Sequence, residues 1–130
     1  MHTTEITVDN FSVTIGKPGI VLLDCWAAWC GPCRMFAPIF EAAAAKHPDI
    51  VFGKVDTEAQ PRLATAFQVR SIPTVMVFRD GVLVFSEPGM LSAEALNELI
   101  GKVRALDMDD LRRRIAEAEG QAKGALATTP

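Results

Sequence analysis

The stretch IVLLDCWAAWCGPC, residues 20–33, decides the fold of this chain. It opens with a continuous apolar run, Ile20–Leu23, which is typical of a central strand buried on both faces. It closes with two cysteines that have two residues between them, and the apolar residues from Arg34 to about Lys46 then recur with helical spacing. The sequence therefore predicts a buried strand followed by a helix, with the cysteine pair at their junction.

The helix after the cysteines is expected to pack one broad apolar face against the sheet. That face comprises Met35, Phe36, Ile39, Phe40 and Ala43. Pro38 lies inside the pattern, where it cannot donate a hydrogen bond to the carbonyl group of Arg34. A kink is expected there for that reason.

The segments on either side continue the alternation of strands and helices. A short strand signal begins near residue 5, and we assign the ambiguous residues 11–15 to a helix. The later elements are a strand at Ile50–Val55, a helix at 59–68, strands at Thr74–Phe78 and Val82–Phe85 joined by Arg79-Asp80-Gly81, and a helix capped by Ser92. This order predicts an α/β fold with a central mixed sheet of four or five strands and helices on both faces.

The carboxyl-terminal residues are expected to form a separate extension. We assign residues 1–106 to the domain and residues 107–119 to an extra amphipathic helix that Asp107 caps. Its apolar stripe comprises Met108, Leu111, Ile115, Ala118 and Ala122. Because residues 120–130 are small and polar, they are expected to form a flexible tail.

The composition excludes several classes of function. The chain has 130 residues, 49% of them hydrophobic, and this length suits one domain with a packed core. A formal net charge of −3 lacks the basic surface that nucleic-acid binding needs. The amino terminus has no signal-peptide pattern, and no apolar run approaches the roughly 20 residues of a membrane span. We therefore expect a cytoplasmic protein with no nucleic-acid or membrane partner.

The cysteines point to redox chemistry. A Cys-x-x-Cys pair also occurs in zinc sites, but the other candidate ligands, Cys25, His2 and His47, offer no second pair with ligand spacing. Two unrelated core cysteines are a further alternative, yet Cys30 and Cys33 follow a strand at a helix start, where side chains are presented rather than packed. We interpret the pair as a thiol–disulfide centre and expect no metal.

The position of the pair favours reactivity on electrostatic grounds. Unpaired backbone N–H groups and the helix dipole stabilise a negative charge at the first turn of a helix. The thiolate of Cys30 should therefore be stabilised and its pKa lowered, and the thiolate is the form that attacks disulfides. Cys33 lies one turn further in and is expected to be less exposed. Gly31 allows a tight turn, and Pro32 suits the first turn of a helix.

Trp29-Cys30-Gly31-Pro32-Cys33 is the active-site motif WCGPC of thioredoxins. Further matches in the same order are Asp24, Pro38, Ile72-Pro73-Thr74, Asp80-Gly81 and Gly89. From about residue 5 to 105 the chain resembles the thioredoxin family, and residues 54–74 are similar to its thioredoxin 2 branch, although the zinc-binding cysteines of many members are absent. The resemblance implies the thioredoxin fold and reduction of protein disulfides, with the Cys30–Cys33 pair in place of any separate cofactor.

Two charged residues have both a structural and a functional interpretation. Asp24 could be an inert, solvated carboxylate at the end of its strand, whereas burial would raise its pKa and make it a proton acceptor. The resemblance implies that it deprotonates Cys33. Lys54 could extend to solvent from a buried strand, whereas the resemblance implies a partnership with Asp24.

The resemblance also implies a surface for target proteins. The Ile72–Pro73 bond is expected to be cis and to face Cys30, which leaves the backbone of Ile72 free to pair with an extended target segment. Trp29, Ile72, Pro73 and Gly89 would form an apolar patch around it. Cys25 should point to the opposite face from Asp24 and be buried and unreactive.

The implied partners are disulfide-containing target proteins and a flavin-dependent thioredoxin reductase that uses NADPH. We expect a monomer whose extension packs on its own domain, with a dimer formed through the extension as the alternative. An oxidase or isomerase is the nearest rival activity, and the Gly31-Pro32 dipeptide argues against it. A binding or chaperone module with incidental cysteines is the rival from another class, since the residues after Arg104 exceed an ordinary thioredoxin.

Overall fold

A five-stranded mixed sheet forms the centre of the structure, which is a computed structural model that describes residues 2–127. The strands are β1 (Thr3–Glu5), β2 (Ile20–Trp26), β3 (Val51–Asp56), β4 (Thr74–Arg79) and β5 (Val82–Pro88). The helices are α1 (Phe11–Ile15), α2 (Gly31–Lys46), α3 (Pro61–Ala66), α4 (Ala93–Arg104) and α5 (Met108–Ala127). The strand order is β1-β3-β2-β4-β5, with β1, β3 and β2 parallel and β4 antiparallel to both β2 and β5.

Each face of the sheet carries its own core because side chains alternate along a strand. Leu22 and Phe52 face α2 and α4, where they pack with Phe36, Phe40 and Ile100. The opposite face packs against α1 and α3, and its buried residues include Ile6, Val21, Leu23, Cys25, Val55 and Leu63. The predicted α/β fold with helices on both faces is confirmed.

Gly53 allows close packing of side chains on the face of the sheet that α1 and α3 cover. A Cβ atom at this position would lie 2.6 Å from Cγ1 of Ile6 and 2.8 Å from Cδ2 of Leu23, which is too close for any other residue without movement. The absence of a side chain therefore allows β1, β2 and β3 to close over this face.

The predicted hairpin between β4 and β5 is confirmed. Asp80 and Gly81 form a two-residue loop, and both have positive φ, at 51° and 81°, as a tight turn between twisted strands requires. The backbone N–H of Gly19 donates to Oδ1 of Asp80 at 2.7 Å, and the N–H of Asp80 donates to the carbonyl oxygen of Gly19 at 2.8 Å. These bonds hold the turn beside the start of β2.

The structure corrects two predictions, one about the position of the first strand and one about the buried face of α2. Residues 11–15 are helical as predicted, whereas the first strand lies at Thr3–Glu5, earlier than its signal suggested. Met35 does not belong to the buried face of α2, because it is 66% exposed while Phe36 and Phe40 are fully buried. Helical spacing predicted a face that is wider than the one the sheet covers.

The extension is a longer helix than the sequence predicts. Oδ1 of Asp107 accepts the N–H of Asp110 at 3.0 Å, which confirms the expected cap. The helix continues past residue 119 to Ala127, so the predicted boundary is wrong, and residues 128–130 of the predicted tail lie outside the described residues. Within residues 2–127, no helix is long and apolar enough to cross a membrane.

The first turn of α5 is attached to the domain, and the following residues are not. Met108 is 7% exposed, whereas residues 112–121 are all exposed. The guanidinium group of Arg79 donates to the carbonyl oxygens of Val103, Arg104 and Leu106 at 2.7, 3.1 and 2.8 Å. These bonds supply a donor to carbonyl groups at and just after the end of α4, and the carbonyl oxygen of Val103 also accepts the N–H of Leu106 at 3.3 Å.

Candidate active site

Cys30 and Cys33 form a disulfide across the first turn of α2, with their Cα atoms 5.2 Å apart. Cys30 is the N-cap residue, and the backbone N–H of Cys33 donates to its Sγ at 3.2 Å. Cys30 is 4% exposed and Cys33 is 2% exposed. The sequence predicted that both cysteines are presented at the surface. This prediction is wrong, because almost none of either residue is accessible to solvent.

The loop before α2 has a fixed conformation. The N–H of Cys30 donates to the carbonyl oxygen of Ala27 at 3.2 Å, and the N–H of Arg34 donates to the carbonyl oxygen of Cys30 at 3.2 Å. Gly31 and the exposed Pro32 occupy the first turn between these bonds, as the sequence predicted. The sulfur of Cys30 is thereby held over the helix N-terminus.

A second loop lies against Cys30. The Ile72–Pro73 bond is cis, as the resemblance implied, and the carbonyl oxygen of Ile72 lies 3.7 Å from Sγ of Cys30. The N–H of Gly89 donates to the carbonyl oxygen of Pro73 at 2.7 Å, with Gly89 at a φ of 101°. The loop at Ile72–Pro73 therefore links Cys30 to Gly89, which is far from both in the sequence.

The apolar surface around Cys30 differs in part from the predicted patch. Trp29 is 67% exposed, Gly89 is exposed and Ile72 is half-buried, so these residues face solvent as expected. Pro73 is buried, and it supports the surface from below instead of contributing to it. Met90, which the sequence analysis did not include, adds a side chain that is 37% exposed.

Glu58 is a site residue that the sequence analysis missed. The indole N–H of Trp29 donates to its Oε1 at 2.6 Å. Oδ1 of Asp56 accepts the N–H of Glu58 at 3.0 Å, which shapes the turn after β3. The available signal was topological, because the carboxyl ends of parallel strands such as β2 and β3 meet at one edge of a sheet.

Asp24 is completely buried beneath the site, on the face of the sheet that α2 covers. Neither carboxylate oxygen has a hydrogen-bond partner among the described residues. Burial raises the pKa of Asp24 to about 6, and the positive charge of Lys54 lowers it in part. A carboxyl group with these properties can exchange a proton near neutral pH.

Lys54 is the direct neighbour of Asp24 on the adjacent strand. The two side chains form no ion pair within 4.0 Å in the described part of the chain, and Nζ of Lys54 lies 5.0 Å from the ring centroid of Trp26. This arrangement is a cation–π contact. The two residues are adjacent, and the functional partnership between them stays a prediction.

Comparison with known proteins identifies the family to which this site belongs. The family model described as Thioredoxin matches residues 2–102, which include every residue of the candidate active site described above. The chain belongs to the thioredoxin family.

Thioredoxins from distant organisms resemble this chain in sequence and in structure. It is 53% identical over 120 residues to a Streptomyces coelicolor protein named "Putative thioredoxin 2", covering 92% of this chain and 90% of that protein. It is 43% identical over 97 residues to a thioredoxin of Chlamydia muridarum, covering 75% of this chain and 94% of that protein. A mutant thioredoxin from Halobacterium salinarum has a TM-score of 0.75 at 31% identity, over 81% of this chain and 93% of the other.

Family membership and the Cys30–Cys33 disulfide together support thiol–disulfide oxidoreductase activity. Thioredoxins need no cofactor besides this redox-active pair. Among residues 2–127, no group of three or more His, Cys, Asp or Glu side chains is placed to hold a metal ion.

Cys25, the remaining cysteine of this thioredoxin, lies on the opposite face of the sheet from Asp24, as predicted. It is completely buried, and burial followed by the nearby charge of Asp24 raises the pKa of its thiol to about 12. A thiol that stays protonated and is shielded from solvent does not exchange with disulfides.

Proposed function

We propose that this thioredoxin reduces disulfide bonds in cytoplasmic proteins through a mixed disulfide at Cys30 that Cys33 resolves. The observation that carries the proposal is the position of the Cys30 sulfur at the N-terminus of α2, 3.2 Å from the N–H of Cys33. That donor and the helix dipole act on the sulfur whenever it is a thiolate.

In the first step, the thiolate of Cys30 attacks one sulfur of the target disulfide. A bond forms between Cys30 and the target, the target disulfide breaks, and the released target thiolate takes up a proton. The carbonyl oxygen of Ile72, 3.7 Å from the Cys30 sulfur, marks the side on which the target backbone would lie. Because β-augmentation uses exposed backbone groups, an extended target segment is the favoured ligand.

In the second step, the thiol of Cys33 gives its proton to the carboxylate of Asp24, and the resulting thiolate attacks the sulfur of Cys30. The Cys30–Cys33 disulfide forms, the bond from Cys30 to the target breaks, and the second target sulfur leaves as a thiolate that takes up a proton, while Asp24 later returns its proton to solvent. Two electrons and two protons have then passed to the target. Asp24 suits this role because its raised pKa brings its proton affinity closer to that of a thiol. Lys54 would support the transfer by favouring the carboxylate form of Asp24.

We infer that the exposed residues Trp29, Gly89 and Met90, together with the half-buried Ile72, receive the target. Exposed apolar side chains beside a reactive group are typical of an interaction surface. A flavin-dependent thioredoxin reductase, reduced by NADPH, would return the disulfide to the dithiol. The functional unit is a monomer on this proposal, since Met108 packs the start of α5 against its own domain.

An assay of disulfide reduction in insulin tests the roles of the cysteines. Cys30→Ser should abolish activity, and Cys33→Ser should accumulate a covalent mixed disulfide that is visible on non-reducing gels. Cys25→Ala is the matched control and should retain activity, because Cys25 is buried on the other face. Undiminished activity of Cys30→Ser would refute the proposal, and a lack of activity in the unaltered chain would favour a binding module.

The reduction potential separates a reductant from an oxidant. A value near the known thioredoxin potential of about −270 mV supports reduction of targets, whereas one near −120 mV would indicate an oxidase. The measurement needs only equilibration of the full chain with glutathione buffers.

One observation favours a second role for the extension, namely the exposure of residues 112–121 beyond the domain. A truncation after Leu111 retains Met108 and removes this exposed part. Light scattering of both chains would show a monomer in each case on our proposal. A dimer that the truncation dissolves would instead assign the extension to self-association, without affecting the cysteine assay.

A further inference from the structure

Three charged residues form one row across the parallel part of the sheet. Glu5 on β1 is in register with Lys54 on β3, and Lys54 is in register with Asp24 on β2. Residues in register on neighbouring parallel strands point to the same face of the sheet. Lys54 therefore has a carboxylate on each side, with Asp24 buried and Glu5 exposed.

An open cleft gives Glu5 and Lys54 a shared environment. It has a volume of about 410 Å³ and is lined by Thr3, Glu5, Trp26, Lys54 and Asp56. The ammonium group of Lys54 lies over the Trp26 ring at 5.0 Å, so the side chain extends along this face of the sheet. Asp24 lies one strand spacing away, with both oxygens unpartnered among the described residues.

The other carboxylates near Lys54 are engaged elsewhere. Oδ1 of Asp56 accepts the backbone N–H groups of Glu58 and Ala59 at 3.0 and 3.3 Å. On α2, Oε1 of Glu41 accepts the backbone N–H of His2 at 2.7 Å. Among the side chains of residues 2–121, none forms a hydrogen bond or an ion pair with the carboxylate of Glu5, which lines the cleft.

The remaining neighbours of Asp24 bring no further charge to the row. β4 places Val75 directly opposite Asp24, and α4 contributes Leu96 and Ile100 to the same core. α2 contributes Phe36 and Phe40 to this core, and it carries Cys33, the thiol that the proposed second step deprotonates. The charge balance at Asp24 therefore depends on Lys54 and on the groups that compete for Lys54.

We propose that Glu5 is a positioning residue that shares Lys54 with Asp24 and so limits how strongly Lys54 stabilises the Asp24 carboxylate. The edge strand β1 would thereby keep the buried carboxyl group basic enough to accept a proton. This inference rests on the proposed function of Asp24 as the acceptor for Cys33. It assigns a role in that step to a residue on the amino-terminal strand, outside the cysteine loop.

Removal of the Glu5 charge is expected to lower the pKa of Asp24. Lys54 would then act on Asp24 alone, the carboxylate would be favoured, and the pKa of Asp24 would fall. An ammonium group of Lys54 that is released from Glu5 is free to move toward Asp24, and the stronger attraction to that carboxylate corresponds to a shift of roughly 0.3 to 1 pH unit.

The experiment follows the carboxyl carbon of Asp24 by carbon-13 NMR during pH titration of the full, oxidised chain. Glu5→Gln should lower the titration midpoint by roughly 0.3 to 1 pH unit, and the pH profile of the resolving step should move in the same direction. Glu98→Gln on the exposed surface of α4 is the matched control for net charge and should leave the midpoint in place. In a Lys54→Gln background, the effect of Glu5→Gln should shrink to less than half.

The titration results distinguish failure of the Glu5 inference from failure of the proposed role of Asp24. An unchanged midpoint in Glu5→Gln overturns the inference, as does a full shift in the Lys54→Gln background, since Glu5 would then act on Asp24 directly. A midpoint of the unaltered chain near the ordinary value for aspartate would instead overturn the acceptor role in the proposed function. Because the readout is a titration, failure of the enzyme assay does not obscure it.

Discussion

Replacement of Asp24 by asparagine tests whether this buried carboxyl group destabilises the fold in its charged form. Asp24 is completely buried, and the described residues provide no hydrogen bond to either oxygen. Asparagine has nearly the same shape and lacks the charge. A protonated aspartic acid and an asparagine therefore bury similar neutral groups, so that the difference between the two proteins at higher pH isolates the charge.

The magnitude follows from the pKa of Asp24, which burial raises from 3.8 to about 6. Each pH unit between the folded and unfolded values is worth about 1.4 kcal/mol, so the ionised group costs about 3 kcal/mol above pH 6. Between these pH values the folded state keeps a proton that the unfolded state has lost, and the stability of the unaltered chain therefore falls as pH rises. Below pH 3.8 both states are protonated and the cost disappears.

Urea denaturation of both oxidised proteins from pH 4 to pH 8 measures this difference. The stability advantage of Asp24→Asn should grow by about 2 to 3 kcal/mol across that range. Glu98→Gln, an exposed substitution with the same change of charge, should show no such trend. Parallel stability curves for Asp24→Asn and the unaltered chain would refute the reasoning, because Asp24 would then ionise at no cost to the folded state.

Three further substitutions test other contacts. Gly53→Ala places a Cβ atom 2.6 Å from Cγ1 of Ile6 and should lower the free energy of unfolding by about 1–3 kcal/mol in urea denaturation. An unchanged denaturation midpoint would show that the neighbouring side chains move aside without cost. Arg79→Met removes the guanidinium donor from three carbonyl groups at and just after the end of α4, of which that of Val103 keeps the N–H of Leu106, and it should cost about 1–3 kcal/mol by the same method; a loss below about 0.5 kcal/mol would contradict the assignment. Glu58→Ala frees the indole of Trp29 and should lower kcat/KM for insulin about 5-fold, since one hydrogen bond is worth about 1 kcal/mol. Glu58→Gln retains an acceptor oxygen and should restore most of that loss; equal defects in both would show that the hydrogen bond is unimportant.

The sequence predicted the elements whose patterns reflect local physics. The apolar run at Ile20–Leu23 predicted the central strand, and the Asp80-Gly81 loop predicted the hairpin through its backbone conformation. Predictions failed where they depended on how much of a helix the rest of the fold covers. Met35 has helical spacing with the core residues of α2, yet it is exposed, because periodicity does not reveal how much of a helix the sheet covers.

In the carboxyl-terminal extension, the sequence predicted less helix than the structure contains. Small and polar residues after Gly120 suggested a chain end without structure, whereas α5 continues as a helix to Ala127. Its exposed part is rich in charged pairs three or four residues apart, such as Arg113 with Asp110 and Glu117. Such pairs stabilise a helix locally without burial. These pairs lie before Gly120, in the part that was predicted to be helical, and no local pattern indicated that the helix continues to Ala127.

The candidate site was predictable in its residues and only partly in its arrangement. Cys30 and Cys33 were identified because a cysteine pair at a helix start has a specific chemistry, and the family comparison confirms the thioredoxin assignment. Burial of Pro73 and the bond from Trp29 to Glu58 could not be derived, because both depend on which loops meet at the carboxyl ends of the strands.

The sequence by itself determined that this chain folds as an alternating α/β protein with two cysteines at the start of a helix, since those features arise from residues that are close along the chain. Only the tertiary structure decided that Asp24 has no partner, that Lys54 stands between Asp24 and Glu5, and that Ile72 lies against Cys30. The physical reason is that burial and charge balance depend on strand register and packing, which bring together residues that no local pattern connects.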